Sequence, residues 1–372
     1  MRILVDARHL GRPNPSGVGG YTINLLNALF EIDQTNEYVL LTTGRKKPSL
    51  SFSKPFTHIH INTPNKLLNA RFITTNSPTI DQLIPGNIDL IFLPALNITP
   101  LPVSIPTVLM VHDLSFKHFP KFYSARMRAW HKACRVDQLF NRADHIITPS
   151  ESTKRDLQLA DKPITSIAHG VDPMFLPKMR AQDHGVRGRL KLPKRFVLFV
   201  GTLEPRKNLI ALIDAISLYR TETREDLHLV LAGSWGWNTR ALKKRLWKKD
   251  AKGWVHQLGY VKDEDLPALY RSAEALTWPS IYEGFGLPVL EAMACGTPVI
   301  TTHTSSLPEI TGDAAIHVDP YNARDITTAL KQLLHSSELS RRLSKAGVEQ
   351  AKNFTWKQSA INTLSVFKKL TQ

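Results

Sequence analysis

Two carboxylates, Glu283 and Glu291, flank seven residues that read Gly284-Phe-Gly-Leu-Pro-Val-Leu290. Residue types at this spacing suit a ligand site. Gly284 and Gly286 let backbone N–H groups approach a bound group closely, and Pro288 fits the first turn of a helix, where its missing donor costs nothing. A helix beginning near Leu287 points its positive end back at the loop and favours an anion such as phosphate. Glu291 then sits one turn in, and Glu283 faces the same cleft. An acidic surface loop before an ordinary core helix has the same spelling, so the rest of the chain must decide.

A second cluster lies upstream. Phe196-Val-Leu-Phe-Val-Gly201 is followed by Thr202-Leu-Glu-Pro205 and then by Arg206-Lys207-Asn208. A strand ending in glycine, with adjacent cations at a helix entrance, is suited to clamp a diphosphate. Arginine grips two oxygens at once and lysine supplies a point charge. Helix-capping surface residues are the plainer alternative. Both clusters fall at strand-to-helix switches in the same half of the chain, and in an open α/β sheet both would line one edge.

The elements that must position these residues alternate. Strands are expected at 2–7, 38–42, 90–93, 107–111 and 145–148, with a Gly17, Gly19, Gly20 loop between the first of them and a helix over 21–30. A Pro-, Gly- and charge-rich stretch over 170–194 reads as a linker. Strands at 196–200, 228–232, 275–278 and 298–301 then alternate with helices at 209–220, 239–249 and 287–294, and a last helix covers 356–370. Strands separated by helices of this length imply parallel sheets covered on both faces. The expectation is an α/β protein of two doubly wound domains, 1–172 and 195–355, joined by 173–194, with the final helix packing back toward the first.

At 372 residues the chain exceeds the size at which one core stops growing, which agrees with two domains. Its formal net charge of +16 is shared by both halves and calls for an anionic neighbour: nucleic acid, membrane surface or phosphorylated substrate. Two cysteines, Cys134 and Cys295, are too few for a disulfide framework or a zinc cluster and fit a reducing compartment. The N-terminal apolar run is too short for a signal peptide, so the chain reads as cytosolic. Residues 119–142 read as one basic amphipathic helix, with Arg128, Lys132, Arg135 and Arg142 on one stripe. That is a candidate membrane contact, or simply a solvated face over a core-facing one.

Taken in order, Gly17-Val-Gly-Gly-Tyr21, His112-Asp-Leu114, Thr148-Pro-Ser-Glu-Ser152, His169-Gly-Val-Asp172, Val200-Gly-Thr-Leu-Glu-Pro-Arg-Lys-Asn208, Ala232-Gly233, Leu258-Gly-Tyr260, Pro279-Ser280 and Glu283 through Glu291 span nearly the whole chain. Together they resemble the retaining glycosyltransferases of the GT-B fold, specifically the family 4 group that includes bacterial mannosyltransferases of cell-surface polysaccharide synthesis. The resemblance implies two Rossmann-like domains with an interdomain cleft and the nucleotide held mainly by the second.

Carried over position by position, Glu291 is expected on the ribose hydroxyls, and the 258–261 loop with Gly259 and Tyr260 near the base. Arg206 and Lys207 are expected on the diphosphate beside Gly201 and Ser280. Glu283 and the backbone of Gly284, Phe285, Gly286 and Leu287 would meet the donor sugar and its phosphate. The Gly17, Gly19, Gly20 loop would close over the diphosphate, and His112 would lie beside the reacting carbon. Many relatives carry an arginine where this chain has Thr202, which leaves the clamp one cation short.

The expected activity is therefore hexosyl transfer with retention. The best match is mannose from GDP-mannose, moved without a metal or other cofactor onto a lipid-linked or polysaccharide acceptor, as in O-antigen and lipopolysaccharide assembly. Rhamnosyl or glucosyl transfer, a GT-B sugar-nucleotide epimerase, and a basic membrane or nucleic-acid binding module are the alternatives. Nucleic acid is not an expected partner, and a cytoplasmic protein peripheral to the inner membrane face is the expected setting.

Overall fold

A computed structural model describes residues 1–11, 17–52, 54–179 and 183–371. The chain divides into two compact units. One comprises residues 1–114, 125–170 and 355–372, and the other residues 115–124 and 171–354.

The first unit holds seven parallel strands: β1 (Arg2–Asp6), β2 (Glu37–Thr43), β3 (Thr57–Ile61), β4 (Leu90–Leu93), β5 (Thr107–Met110), β6 (His145–Thr148) and β7 (Ile164–Ser166), in the order β3-β2-β1-β4-β5-β6-β7. The second holds six: β8 (Phe196–Val200), β9 (His228–Ala232), β10 (Val255–Gly259), β11 (Ala275–Trp278), β12 (Val299–Thr302) and β13 (Ala315–Val318), in the order β10-β9-β8-β11-β12-β13. Central strands such as LIFL of β4 and FVLFV of β8 are buried along their whole length, as strands covered by helices on both faces must be. Each sheet reverses its winding once, between β1 and β4 and between β8 and β11. In a doubly wound sheet, the carboxyl edge at such a reversal is where a ligand binds.

Several expectations change. The glycines at 17, 19 and 20 do not form a loop: they open the Gly17–Ile32 helix, in which Gly19 is buried with Tyr21 and Gly17 is exposed. The basic stretch 119–142 is not one helix. It runs as a 3-10 turn (Pro120–Phe122), a helix (Ala125–Ala133) and a second helix (Val136–Arg142), interrupted where Arg135 takes a left-handed φ of +47°.

Residues 115–124, expected with the first domain, pack with the second unit, where Tyr123 stacks on Trp237 and Phe119 lies against Tyr282. The stretch read as a linker is likewise part of the second unit, because Phe175 and Val186 are apolar and buried and Asp183 pairs with Arg271; residues 180–182 lie outside the described residues. The final helix, Trp356–Thr371, packs within the first unit, with Phe367 against Phe92 and the Ser359 hydroxyl donating to the Ala168 carbonyl at 2.5 Å.

Candidate active site

At the reversal of the second sheet, the backbone leaves β8 and β9 through two glycines with positive φ, Gly201 at +144° and Gly233 at +148°. Both are required. A Cβ on Gly233 would stand 1.9 Å from the Gly201 carbonyl oxygen, and an L side chain resists that φ in any case. Gly201 N–H donates to Ala232 O at 2.9 Å and Gly233 N–H to Gly259 O at 2.7 Å, which laces the carboxyl ends of β8, β9 and β10 into one ledge. Thr202 is exposed on that ledge. Gly259, the last residue of the edge strand β10, and Tyr260 after it lie at its outer end, with Tyr260 about half exposed (51%).

Arg206 and Lys207 come from a single 3-10 turn, Pro205–Lys207. Across the reversal, the loop after β11 carries Ser280, fully buried, and Glu283, 6% exposed. The structure brings the two sequence clusters into direct contact. Arg206 Nη1 donates to Glu283 Oε2 and to the Tyr282 carbonyl, both at 2.7 Å, while Nη2 donates to Glu204 Oε1 at 2.8 Å. Lys207 Nζ donates to Glu283 Oε1 at 2.6 Å and stands 4.2 Å from the centre of the Trp278 ring, within cation–π range.

The result is a buried set of two anions and two cations. Removing any one member leaves an uncompensated buried charge. Burial pushes the Glu283 carboxyl up, but Arg206 and Lys207 outweigh it and hold the group below the usual carboxylate range. Lys207 is lowered, first by burial and then by Arg206 beside it. Burial raises Glu204 despite the neighbouring cations.

The Glu283 loop is itself fixed. Glu283 N–H donates to Ser305 Oγ at 2.8 Å, and the Ser306 hydroxyl donates to the carbonyls of Glu283 (3.0 Å) and Phe285 (2.7 Å). Gly284 and Phe285 are buried, and Gly286 turns the chain into the Leu287–Ala294 helix with φ +121°. A Cβ there would meet Leu307 Cδ2 at 2.9 Å. This helix, with Pro288 in its first turn, aims its positive end at the Glu283 loop.

Glu291, one turn into that helix, does not join the charge cluster. It accepts from the Tyr270 hydroxyl at 2.7 Å, and burial, with Asp263 and Asp172 adding, raises its carboxyl to about 7. The two glutamates of one motif thus have opposite electrostatics, one held ionised by cations and the other pushed toward neutrality.

Sequence reasoning missed Glu204, Trp278, Tyr270, Ser305 and Ser306 as site residues. Glu204 was visible inside the Leu-Glu-Pro-Arg-Lys string, but nothing local told its carboxylate from a surface one. The remainder are ordinary strand, helix and loop residues whose contacts are set by the fold.

The other expected residues belong to the first unit, at the carboxyl ends of its strands. His112 follows β5 and donates from Nε2 to the Pro94 carbonyl at 2.8 Å; burial lowers its pKa to about 4, leaving Nδ1 as the acceptor of a neutral ring. Tyr21, from the first turns of the Gly17–Ile32 helix, meets His112 edge-on with ring centres 4.7 Å apart, and His169 lies 5.7 Å from His112. Gly17, Gly19 and Gly20 open the helix that carries Tyr21 to the His112 ring. A Cβ at Gly17 or Gly20 would have nothing within 4 Å among the described residues.

Two family models divide the sequence, that for glycosyl transferases group 1 over residues 184–350 and that for glycosyltransferase family 4 over residues 15–175. The chain is 34% identical over 271 residues to O-antigen chain mannosyltransferase B of Escherichia coli, covering 71% of this chain and 70% of that protein. It is 26% identical over 420 residues to the serotype-specific mannosyltransferase WbdA of Escherichia coli, covering all of this chain but 48% of that protein, so it spans about half that relative's length.

Among solved structures, sucrose-phosphate synthase from Thermosynechococcus elongatus matches with a TM-score of 0.78 at 21% identity, covering 100% of this chain and 99% of the other. Anabaena HepE in complex with UDP and glucose matches with a TM-score of 0.72 at 18% identity, covering 98% and 100%. These are enzymes of the GT-B fold, whose two parallel-sheet α/β domains are the two units described above. With both halves matched in order and the charged cluster seated at the reversal of the second sheet, the chain belongs to the group 1, family 4 glycosyltransferases.

Proposed function

We propose that the protein transfers mannose from GDP-mannose, with retention of configuration and without a metal, to a lipid-linked or polysaccharide acceptor in cell-surface glycan synthesis. The observation that carries this reading is the Glu283 carboxylate held by both Arg206 and Lys207 at the carboxyl edge between β8 and β11. When a sugar leaves a nucleotide, negative charge gathers on the diphosphate while the sugar becomes cation-like, and fixed donors at the phosphate lower the barrier. Arg206, Lys207 and the amino end of the Leu287–Ala294 helix supply such donors.

In this reading the arriving diphosphate takes over the two cations. Glu283 is then released from them to accept hydrogen bonds from the donor sugar's hydroxyls. Glu291, on the neighbouring turn, takes the ribose, and Gly259 and Tyr260 the base. His112, neutral and held through Nε2 with its Nδ1 as acceptor, takes a place beside the reacting carbon. The acceptor attacks from the face the nucleotide leaves, and a phosphate oxygen of the leaving group takes the acceptor's proton.

Mannose as the donor sugar is supported by the Escherichia coli relatives named as mannosyltransferases. None of the described helices is long and apolar enough to cross a membrane. A cytoplasmic protein that meets the inner membrane face through its basic helices completes the proposal.

The test is a donor panel of GDP-mannose, dTDP-rhamnose and UDP-glucose, with UDP-glucose included because HepE was solved with UDP and glucose. Slow GDP release from GDP-mannose alone, accelerated by acceptor glycan, is the expected result. Turnover confined to UDP or dTDP sugars overturns the donor, and conversion of the sugar nucleotide without acceptor overturns the reaction.

A further inference from the structure

The first unit carries a cavity of about 210 Å³ that belongs to none of the residues placed in the reaction. One wall is the Asn65–Thr75 helix, another is the extended segment 98–101, and the third is the broken basic helix pair ending at Arg142. Phe72, Ile98 and Leu139 give it an apolar, buried lining. Arg135 and Arg142 also line it.

The two arginines are held in unusual ways. Arg135 sits at the break between the helices with φ +47°, a conformation that non-glycine residues keep only where their surroundings impose it. Its Nη2 reaches across to the Ile73 carbonyl at 3.4 Å, bridging two walls. Arg142 uses Nη1 on Asp144 at 3.3 Å and Nη2 on the carbonyls of Pro102 and Ile105, yet its Nε is buried with no acceptor among the described residues. A buried donor without a partner is a cost that a bound acceptor would relieve.

The surroundings are equally uneven. Ile73, on the lining, is 38% exposed, Trp130, one turn before Cys134, is 39% exposed, and Val103, two residues beyond Leu101, is 92% exposed. Apolar side chains thus lead away from a cavity whose charges are positive. Thr99 on the lining is held by Arg8, itself buried, which pairs with Asp6 at 2.6 Å and donates to Thr99 Oγ1 at 2.5 Å.

We propose that this cavity binds the phosphate end of a long-chain amphiphile. The phosphate meets the Arg135 and Arg142 guanidiniums, which suit its geometry. The first carbons lie against Phe72, Ile98 and Leu139, and the rest of the chain runs out past Ile73 and Trp130. The cavity is smaller than the roughly 300–1,000 Å³ of pockets that enclose a whole small ligand, so it takes one end of a long molecule. A free phosphate would leave the apolar lining unused. A phosphate-headed hydrocarbon could be the lipid carrier of a glycan acceptor or a membrane phospholipid. Only the first of these rests on the proposed function.

Calorimetric titration of the full chain with decyl phosphate, kept below its micellar concentration, tests the site. Saturable binding is expected, with inorganic phosphate and decanol each failing to bind alone. Arg135→Ala, which removes an exposed charge, and Ala133→Trp, which fills the cavity but keeps both guanidiniums, should each weaken binding at least about tenfold. GDP binding by both variants should stay unchanged, which separates this site from the donor site, and unchanged circular dichroism and melting temperature report that the first unit still folds. No binding of decyl phosphate, or binding unaffected by both substitutions, overturns the proposal. Farnesyl phosphate and phosphatidylglycerol vesicles then separate the two sources, and failure of both to compete with decyl phosphate also overturns it. A chain that binds decyl phosphate but transfers no sugar keeps this site and loses the proposed function.

Discussion

The Tyr270 hydroxyl donates to Glu291 Oε2 at 2.7 Å inside an environment that raises the Glu291 carboxyl to about 7. Burial is the main cause, and the nearby Asp263 and Asp172 carboxylates reinforce it. An acid whose folded pKa lies above its ordinary 4.5 binds extra protons in the native state. Its contribution to stability is complete below pH 4.5 and is lost as pH rises through 7. Glu291→Gln removes that loss, so the variant should gain stability over the parent between pH 5 and pH 8, by about 2 kcal/mol. Urea unfolding at the two pH values measures it, and a constant difference between variant and parent contradicts the assignment.

The same carboxyl should govern nucleotide affinity. A ribose diol donates best to a carboxylate, so GDP should bind more weakly as pH falls from 8 to 6 through the titration of Glu291. Glu291→Gln should bind weakly at both values and show a flat profile. Fluorescence titration of GDP across that range is the measurement. A parent whose affinity is unchanged from pH 8 to pH 6 removes Glu291 from the ribose.

Glu283 should behave differently. Glu283→Gln leaves Arg206 and Lys207 with Glu204 as their remaining anion, and breaking such a buried set costs roughly 3–5 kcal/mol. If Glu283 serves the donor sugar, kcat should fall by about 10² or more while GDP affinity holds or rises, because the two cations are then freer for the diphosphate. Steady-state kinetics alongside GDP binding separates these effects. A loss confined to GDP affinity would place Glu283 on the nucleotide instead.

How much of this was legible in the chain depends on how local each feature is. The strands at 90–93, 145–148, 196–200, 228–232 and 275–278 were readable because a strand covered on both faces is a short apolar run with nothing to confuse it. The outer strands β3, β7, β10 and β13 were not, since three of them are only partly buried along most of their length and β10 alternates with exposed positions. Within the site, Glu283 and Arg206 could be singled out from glycine and charge spacing. Their mutual contact could not, because it spans 77 residues and depends on β8 and β11 being neighbours. The Arg135 break was invisible for the opposite reason. Its sequence has helical periodicity throughout, and tertiary packing overrides it.

The glycines divide into those the fold requires and those it does not. Gly233→Ala would drive a Cβ to 1.9 Å from a backbone oxygen at φ +148°, so it should cost about 3 kcal/mol or more and lower the melting temperature whether or not ligand is present. A methyl group added at Gly17 or Gly20 would have nothing within 4 Å among the described residues, and both lie in a helix with ordinary φ. Replacing Gly20 by alanine should leave stability unchanged or raise it by about 0.4–1 kcal/mol. In the proposed reaction, glycine at these positions lets the diphosphate approach the backbone closely. Gly20→Ala should accordingly reduce kcat/KM about tenfold or more in a protein that melts no lower than the parent, and full activity in that variant would take the amino end of the Gly17–Ile32 helix out of the diphosphate site.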